Sequence, residues 1–181
     1  MSTHRFLASL SLCLLAACAA QPVSKVRTPG LGVALSAADI APYDITIPPS
    51  GAGLPAGGGS ARQGAAVYEQ KCAACHGVKG VGKPADALAG GIGSLASRTA
   101  VRTVGSYWPY ATTLFDYVRR SMPITNPLSL TNEEVYAVSA YVLHLNGIVD
   151  EDTQMNAQTL PQVKMPNRDG FIDEWKSKAA R

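Results

Sequence analysis

The chain has 181 residues, enough for one ordinary domain with extensions and too few for two full domains. Its formal net charge is +3, from 16 Lys and Arg against 13 Asp and Glu, an excess too small and too scattered to predict nucleic-acid binding. No three- or seven-residue repeat supports a collagen or a coiled coil, and the single long apolar run, at the N-terminus, excludes a multi-span membrane protein.

Residues 1–17 have the features of an export signal. Arg5 precedes an apolar run from Phe6 to Ala17, which is too short to span a bilayer. The run ends in Leu-Ala-Ala before Cys18, and this ending resembles the lipobox of bacterial lipoproteins, in which the chain is cut before a cysteine that then carries a diacylglycerol. The resemblance implies lipidation of Cys18 and a periplasmic protein attached to a membrane. A plain signal peptide cleaved nearby is the alternative.

Residues 18–60 follow as a segment rich in residues that break regular structure. Pro and Gly occupy 13 of the 42 positions from 19 to 60. This composition is typical of a tether. We therefore expect a lipid-anchored linker here, with Asp44–Ile47 as one extended piece able to join the folded domain.

Cys72, Cys75 and His76 form the sequence Cys-Ala-Ala-Cys-His. A structural zinc site would need a second pair of ligands, and a thioredoxin-like redox pair would need a βαβ context; the sequence contains neither. Cys-x-x-Cys-His is the attachment sequence of c-type haem, because both sulfurs add to the haem vinyl groups and the adjacent histidine is then carried beneath the ring. The sequence therefore predicts one covalently attached haem c.

Residues 61–150 carry the signals of a small all-α domain. Helix N-caps, apolar residues at helical spacing and a closing Asn-Gly pair predict three helices, and no convincing strand interrupts them. The predicted helices are residues 61–72, 111–120 and 132–145. A glycine-rich stretch, Gly77–Gly93, fits no phosphate-binding loop and is expected to fold around a flat ligand. Because a domain of this size has a thin core, a buried haem would supply the stabilisation it needs.

The haem iron has a second axial position, for which the downstream chain offers several candidates. Met122 precedes a proline, which ends the helix before it and leaves Met122 extended, so that its side chain can turn toward a central disc. Met155 and Met165 lie beyond the last helix, and His144 should lie on the solvated side of that helix. We therefore predict His76 and Met122 as the iron ligands.

The motifs, and their order along the chain, resemble those of class I cytochromes c. The first helix with Gly64, the Cys72–Gly77 segment, the Met122-Pro123 pair and the last helix with Tyr141 follow that family's pattern. The resemblance implies a small class I cytochrome c fold around one haem, with a long N-terminal linker and a C-terminal extension. In the family the first and last helices cross closely, and Gly64 would permit that approach.

The family also suggests two further haem-binding residues. A proline carbonyl commonly accepts the proton of the ligand histidine's second nitrogen, and Pro84 matches by location. A tryptophan often hydrogen-bonds a haem propionate, and Trp108 is the candidate within the domain, although its alternative role is to pack.

A second resemblance is more specific and covers about residues 62–172. Three stretches, Gly105–Tyr117, Glu134–Val138 and Met165–Phe171, are similar to the cytochrome subunits that accompany periplasmic molybdenum sulfite or sulfane dehydrogenases. The sulfane dehydrogenase cytochrome of the thiosulfate-oxidising system has two haem domains, whereas this chain has one haem motif. The resemblance therefore implies a single-haem relative that takes part in sulfur oxidation.

The implied function is single-electron transfer, by an electron-transfer protein or subunit and not by an enzyme. His/Met ligation fills both axial positions and leaves the iron no room for substrate. Electrons would come from a periplasmic molybdenum oxidoreductase and leave to a downstream cytochrome or oxidase. The alternatives are a generic carrier for another dehydrogenase or oxidase and a haem enzyme with a displaceable Met122. In the extension, residues 151–181, the apolar Phe171, Ile172 and Trp175 either fold back onto the domain or contact the dehydrogenase.

Overall fold

The structure is a computed structural model that describes residues 30–172 and residue 174. Cys18 and Trp175, with the predicted export signal, lie outside the described residues. The chain divides into two compact units, one ending at Ala41 and the other beginning at Pro42. The described part of the first unit contains a short helix, α1 (Ala37–Ile40), which begins with a complete capping box. No helix within residues 30–172 is long and apolar enough to cross a membrane.

The second unit contains the predicted helices and two short ones that the sequence does not predict. Its helices are α2 (Ala61–Lys71), α3 (Ala73–His76), α4 (Val104–Tyr107), α5 (Ala111–Ser121) and α6 (Asn132–Leu145). Short 3-10 turns lie at Val78–Gly80 and Leu160–Gln162. Ser60 caps α2 and Thr131 caps α6, each through a complete capping box, which confirms the two predicted helix starts.

Helices α2 and α6 cross in close contact at Gly64. A Cβ at this position would overlap the backbone carbonyl of Ala137 and would lie 2.9 Å from the Cβ of Tyr141. One turn further along α2, the ring of Tyr68 lies against that of Tyr141, with 5.2 Å between the ring centroids. The close crossing expected of a class I cytochrome c is therefore present, and its contact point accepts only glycine.

The hydrophobic core lies where α5 packs on α6. The fully buried rings of Phe115 and Tyr136 meet there at 4.4 Å between centroids. Three residues that follow α6 also belong to the core and are almost completely buried: Met155, Leu160 and Met165. The predicted extension is thus part of the folded unit as far as Met165.

A two-stranded antiparallel sheet joins the two ends of this unit. It pairs β1 (Gly58–Ser60) with β2 (Gln154–Asn156), and Gly59 lies opposite Met155. The sequence does not predict this sheet, because strands of three residues with glycines carry no alternation of apolar and polar side chains. The sheet is a short addition to an otherwise helical fold.

Residues 42–57, which we call the N-terminal strap, pack against the helices. Ile47 is buried, and its N–H donates to Oδ1 of Asp116 in α5 at 2.9 Å. The carbonyl of Pro55 accepts a hydrogen bond of 2.9 Å from the hydroxyl of Tyr136 in α6. Asp44–Ile47 was expected as a piece able to join the domain, and Ile47 does so. The linker prediction is wrong for the later part of the strap, where the backbone carbonyl of Pro55 is also bonded to a helix side chain. The boundary predicted at residue 60 is too late.

Candidate haem site

The attachment sequence lies where α2 meets α3. The backbone N–H of Cys72 donates to the carbonyl of Tyr68 at 2.8 Å, which continues the hydrogen bonding of α2. The carbonyl of Cys72 then accepts from the N–H groups of Cys75 and His76 at 3.1 and 2.9 Å. One helical turn therefore holds both thiols and the imidazole close together in the chain, which is the spacing that covalent haem attachment needs.

Cys72 does not have the environment of a reactive redox cysteine. Cys72 and Cys75 are both free thiols, with Cys72 half-buried and Cys75 exposed. Burial raises the pKa of the Cys72 thiol to about 11, so this thiol is protonated at neutral pH, whereas a reactive redox cysteine has a lowered pKa. Within residues 30–172, no cluster of three or more His, Cys, Asp or Glu side chains is arranged to hold a metal ion, as a zinc site would require.

His76 has one nitrogen bonded and the other available. Its Nδ1 lies 2.8 Å from the carbonyl oxygen of Asp86. Because a carbonyl only accepts, Nδ1 carries the proton, and Nε2 keeps the lone pair that can bind iron. Pro84, the acceptor expected from its location, is therefore not the partner of His76: the carbonyl beside Nδ1 belongs to Asp86.

The backbone after α3 explains this position of the acceptor. The N–H of Gly82 donates to the carbonyl of His76 at 2.7 Å, and the N–H of Ala85 donates to the carbonyl of Cys75 at 2.9 Å. These two bonds fold the loop back over the attachment turn and carry it past Pro84. Gly77 starts the fold with a φ of +73°, and a Cβ there would overlap the carbonyl of Gly82.

Met122 differs from the other two candidate methionines in its surroundings. It follows the last residue of α5 in an extended conformation, as predicted, with φ of −120° and ψ of 144°. Its side chain is half-buried, whereas Met155 and Met165 are 2% and 3% exposed and belong to the hydrophobic core. His144 is half-buried, and its Nδ1 lies 3.1 Å from the carbonyl of Val149. Met122 is therefore the candidate whose side chain the core does not use.

Trp108 is half-buried beside an aromatic neighbour. The edge of its ring meets Tyr117 at 5.8 Å between centroids and at 85°. The described geometry thus includes a packing role for Trp108, and the bond to a haem propionate stays a prediction.

The chain after Met165 folds back onto the segment around Tyr107. Nδ2 of Asn167 donates to the carbonyl of Tyr107 at 2.7 Å, and the ring of Phe171 meets the Tyr107 ring at 5.3 Å. The guanidinium of Arg168 lies 4.3 Å from the centroid of the Tyr110 ring. Of the two alternatives for the extension, the first therefore holds as far as Phe171.

The loops around His76 and Met122 expose large apolar side chains. These are Val78, Val81, Ile92, Ile124 and Leu128, which are 64%, 72%, 50%, 72% and 63% exposed. Apolar side chains grouped in this way usually mark the place of a ligand or a partner. A haem is a flat and largely apolar group, and it fits this donor set of two thiols, an imidazole with a free Nε2 and a thioether. The residues present therefore suit a covalently attached haem.

Comparison with known proteins decides the family. Residues 59–142 match the family model described as cytochrome c oxidase, cbb3-type, subunit III. A chain of the crystal structure of the sulfane dehydrogenase SoxCD from Paracoccus pantotrophus is 38% identical, with a TM-score of 0.75, over 82% of this chain and 74% of that chain. A search of curated proteins gives no significant match. The chain is a class I c-type cytochrome.

Membership of this family implies covalently attached haem c and makes the cytochrome a haem electron carrier.

Two groups that stabilise the attachment turn, the Tyr68 hydroxyl and the Asp86 carbonyl, were not identified from the sequence. The buried hydroxyl of Tyr68 donates to the carbonyl of Gly77, next to His76, at 2.9 Å, and burial raises the pKa of Tyr68 to about 12. The position of Tyr68 four residues before Cys72 was a usable signal. Asp86 acts through its backbone carbonyl, for which the side-chain pattern gives no signal.

Proposed function

We propose that this cytochrome accepts single electrons from a periplasmic molybdenum dehydrogenase of the sulfite or sulfane type and passes them to a downstream cytochrome or oxidase. The observation that carries the proposal is the 38% identity to a chain of the sulfane dehydrogenase SoxCD over 82% of the sequence. The family model covers only residues 59–142, so this likeness extends into segments outside the haem domain. General electron carriers share the haem domain, whereas the added segments point to a shared kind of partner.

His76 and Met122 are the proposed axial ligands, and Cys72 and Cys75 the proposed covalent attachments. When bound, the haem supplies reversible one-electron chemistry at its iron. His76 contributes Nε2, because its Nδ1 proton is held by the Asp86 carbonyl. Met122 contributes its sulfur from an extended position outside the core. Two protein ligands to the iron would leave no position for substrate, which favours electron transfer over catalysis.

The proposed docking face is the loop that follows His76. Val78 and Val81 are exposed there, and Lys79 and Lys83 lie beside them. Among the described residues, neither of these lysines takes part in a salt bridge, whereas Lys71 pairs with Glu134 at 2.7 Å. An apolar centre with unpaired positive charge is suited to a short-lived redox encounter with an acidic surface.

Rapid mixing with the dehydrogenase tests this function. Oxidised cytochrome is mixed with a sulfite- or sulfane-type molybdenum dehydrogenase from the same organism and its sulfur substrate, and haem reduction is followed by absorbance. We expect fast reduction that requires the enzyme. Sulfite without enzyme is the control, because sulfite is itself a reductant. No reduction above this control would remove the proposed donor and leave a generic electron carrier.

Charge reversal then tests the docking face. Lys79→Glu and Lys83→Glu should each slow reduction by the dehydrogenase and weaken its dependence on ionic strength. Lys164→Glu is the matched control, because it makes the same change of charge at an exposed lysine outside this loop. Equal rates for all three variants and the wild type would place docking on another face.

We further propose that the protein lies in the periplasm and is tethered to a membrane by lipid on Cys18. The support is the lipobox-like sequence before Cys18. The double acyl chain of such an anchor is enough for stable membrane attachment. Cys18→Ser should therefore move the cytochrome from the membrane fraction to the soluble fraction, and an unchanged membrane fraction would contradict the lipid anchor.

A further inference from the structure

Asn146 lies at the end of α6, where the sequence predicts only a helix stop. Its side chain is buried, and Nδ2 donates to the carbonyl of Val142 within α6 at 2.8 Å. Two more bonds reach the loop after His76: Nδ2 donates to the carbonyl of Leu88 at 3.1 Å, and Oδ1 accepts from the N–H of Gly90 at 3.0 Å. One amide thus ties two backbone groups of the loop to the last helix.

The residues that Asn146 holds are close in the chain to the acceptor of the His76 proton. Asp86, whose carbonyl lies 2.8 Å from Nδ1 of His76, comes two residues before Leu88. The N–H of Leu88 is also fixed, because it donates to the carbonyl of Gly80 at 2.8 Å. With one residue between Asp86 and this doubly bonded position, the Asp86 carbonyl has little freedom to move.

The Asn146 amide is itself held in place from the other side. It lies against α4, where a Cβ on Gly105 would overlap it. Thr103, the N-cap of α4, donates through Oγ1 to the carbonyl of Gly90 at 2.7 Å. Both Thr103 and Asn146 are therefore hydrogen-bonded to Gly90. The Asn146 amide is therefore packed against α4 on one side and bonded to the loop at Leu88 and Gly90 on the other.

We propose that Asn146 is a positioning residue for the haem ligand His76. Its amide fixes the loop at Leu88 and Gly90, and the fixed loop presents the Asp86 carbonyl to the Nδ1 proton. An imidazole whose second nitrogen donates to a fixed carbonyl has a set tautomer and ring orientation and is a more basic ligand. This role rests on His76 as the haem ligand and holds whichever protein supplies the electrons.

The test follows the Nδ1 proton of His76 by NMR in the reduced, haem-loaded protein. In Asn146→Ala, we expect unchanged haem attachment and exchange of this proton with solvent that is about tenfold faster, because two bonds to the loop are lost. Asn156→Ala is the matched control. Oδ1 of Asn156 also accepts two backbone N–H bonds, from Gln158 and Thr159 at 2.8 and 3.0 Å, but in the segment after β2. The control should leave the exchange of the His76 proton unchanged.

Two results with these variants would overturn the proposal. One is an unchanged exchange rate in Asn146→Ala. The other is an equal increase in Asn156→Ala, which would show general destabilisation. If Asn146→Ala does not accumulate as a folded haem protein, the wild type provides the test. The His76 Nδ1 proton and the Gly90 N–H should then exchange through one local opening, with the same dependence on denaturant, and independent exchange of the two protons would overturn the proposal.

Discussion

The helical frame of this cytochrome, formed by α2, α5 and α6, buries its large apolar side chains, whereas the loops around the attachment turn expose theirs. In the frame, α6 packs on both α2 and α5, and Phe115 and Tyr136 are fully buried between α5 and α6. In the loops, Val81 and Ile124 are both 72% exposed. The large side chains of the frame are covered by other parts of the polypeptide, whereas the apolar side chains of the loops are not. Haem attachment and protein folding are therefore expected to be linked.

Removing the haem should have the largest effect. In the double variant Cys72→Ala and Cys75→Ala, we expect the loops to lose amide protection and the protein to lose cooperative thermal unfolding, because the remaining core is thin. Circular dichroism and hydrogen exchange measure both effects. Cys18→Ser, which keeps both attachment cysteines, is the control. Cooperative unfolding with protected loop amides in the double variant would contradict the proposed dependence on haem.

A change in the frame should destabilise the protein without touching the haem ligands. Gly64→Ala places a Cβ against the backbone of Ala137, so we expect the free energy of unfolding to fall by at least about 2 kcal/mol. Denaturant unfolding of the haem-loaded protein measures this. At Gly30, a Cβ would meet nothing within 4 Å, so Gly30→Ala should change nothing. Equal stability of the two variants would argue against the close crossing.

Substitutions of Met122 and Met165 should each affect one of the two regions and not the other. Met122→Ala should keep haem attachment, abolish the sulfur-to-iron absorption band and lower the reduction potential, because a methionine ligand raises it. Met165→Ala should keep the band and instead reduce the free energy of unfolding by about 2–4 kcal/mol, because Met165 is a core residue. Spectroscopy, potentiometry and denaturation measure these quantities. Loss of the band in Met165→Ala but not in Met122→Ala would reverse the ligand assignment.

The smallest effect concerns the salt bridge between the two crossing helices. Hydrogen bonds from Lys71 and from the Thr131 backbone lower the pKa of Glu134 below its ordinary value of 4.5. Since the folded-state pKa is the lower one, the pair stabilises the protein above about pH 4.5, and this contribution is lost as pH falls through the folded-state pKa. Because the pair is partly exposed, we expect no more than about 1 kcal/mol.

Glu134→Gln isolates this charge, since Gln can still accept from the Thr131 N–H in the capping box. Its unfolding free energy should be lower than that of the wild type at pH 7, and this difference should shrink as the pH falls below 4.5. A difference that persists at low pH would show that the ion pair is not its source.

Local signals predicted the frame well. The capping residues Ser60 and Thr131 begin α2 and α6. The contact between these helices at Gly64 was expected from the family resemblance and not from a local signal. Reasoning from local signals identified only Asp44–Ile47 of the N-terminal strap as able to join the domain, since proline and glycine content indicates a linker whether or not the segment packs. Ile47, an apolar residue just before two prolines, was the signal that the segment joins the core.

The site was predicted where side chains carry the chemistry and missed where the backbone or a distant contact does. Cys72, Cys75 and His76 define the attachment turn by their spacing. Asp86 uses a backbone carbonyl, which any residue possesses. Asn146 was recognised as a helix end, but its bonds cross 56 or more residues to Gly90 and Leu88, and no local pattern encodes that distance.

Carbon monoxide binding tests most directly whether the cytochrome is an electron carrier with both axial positions filled. The absorption spectrum of the reduced wild type should not change on addition of carbon monoxide. Met122→Ala should bind the gas readily, which shows that an open position is detected. Rapid binding by the wild type would contradict ligation by Met122 and would favour a haem enzyme.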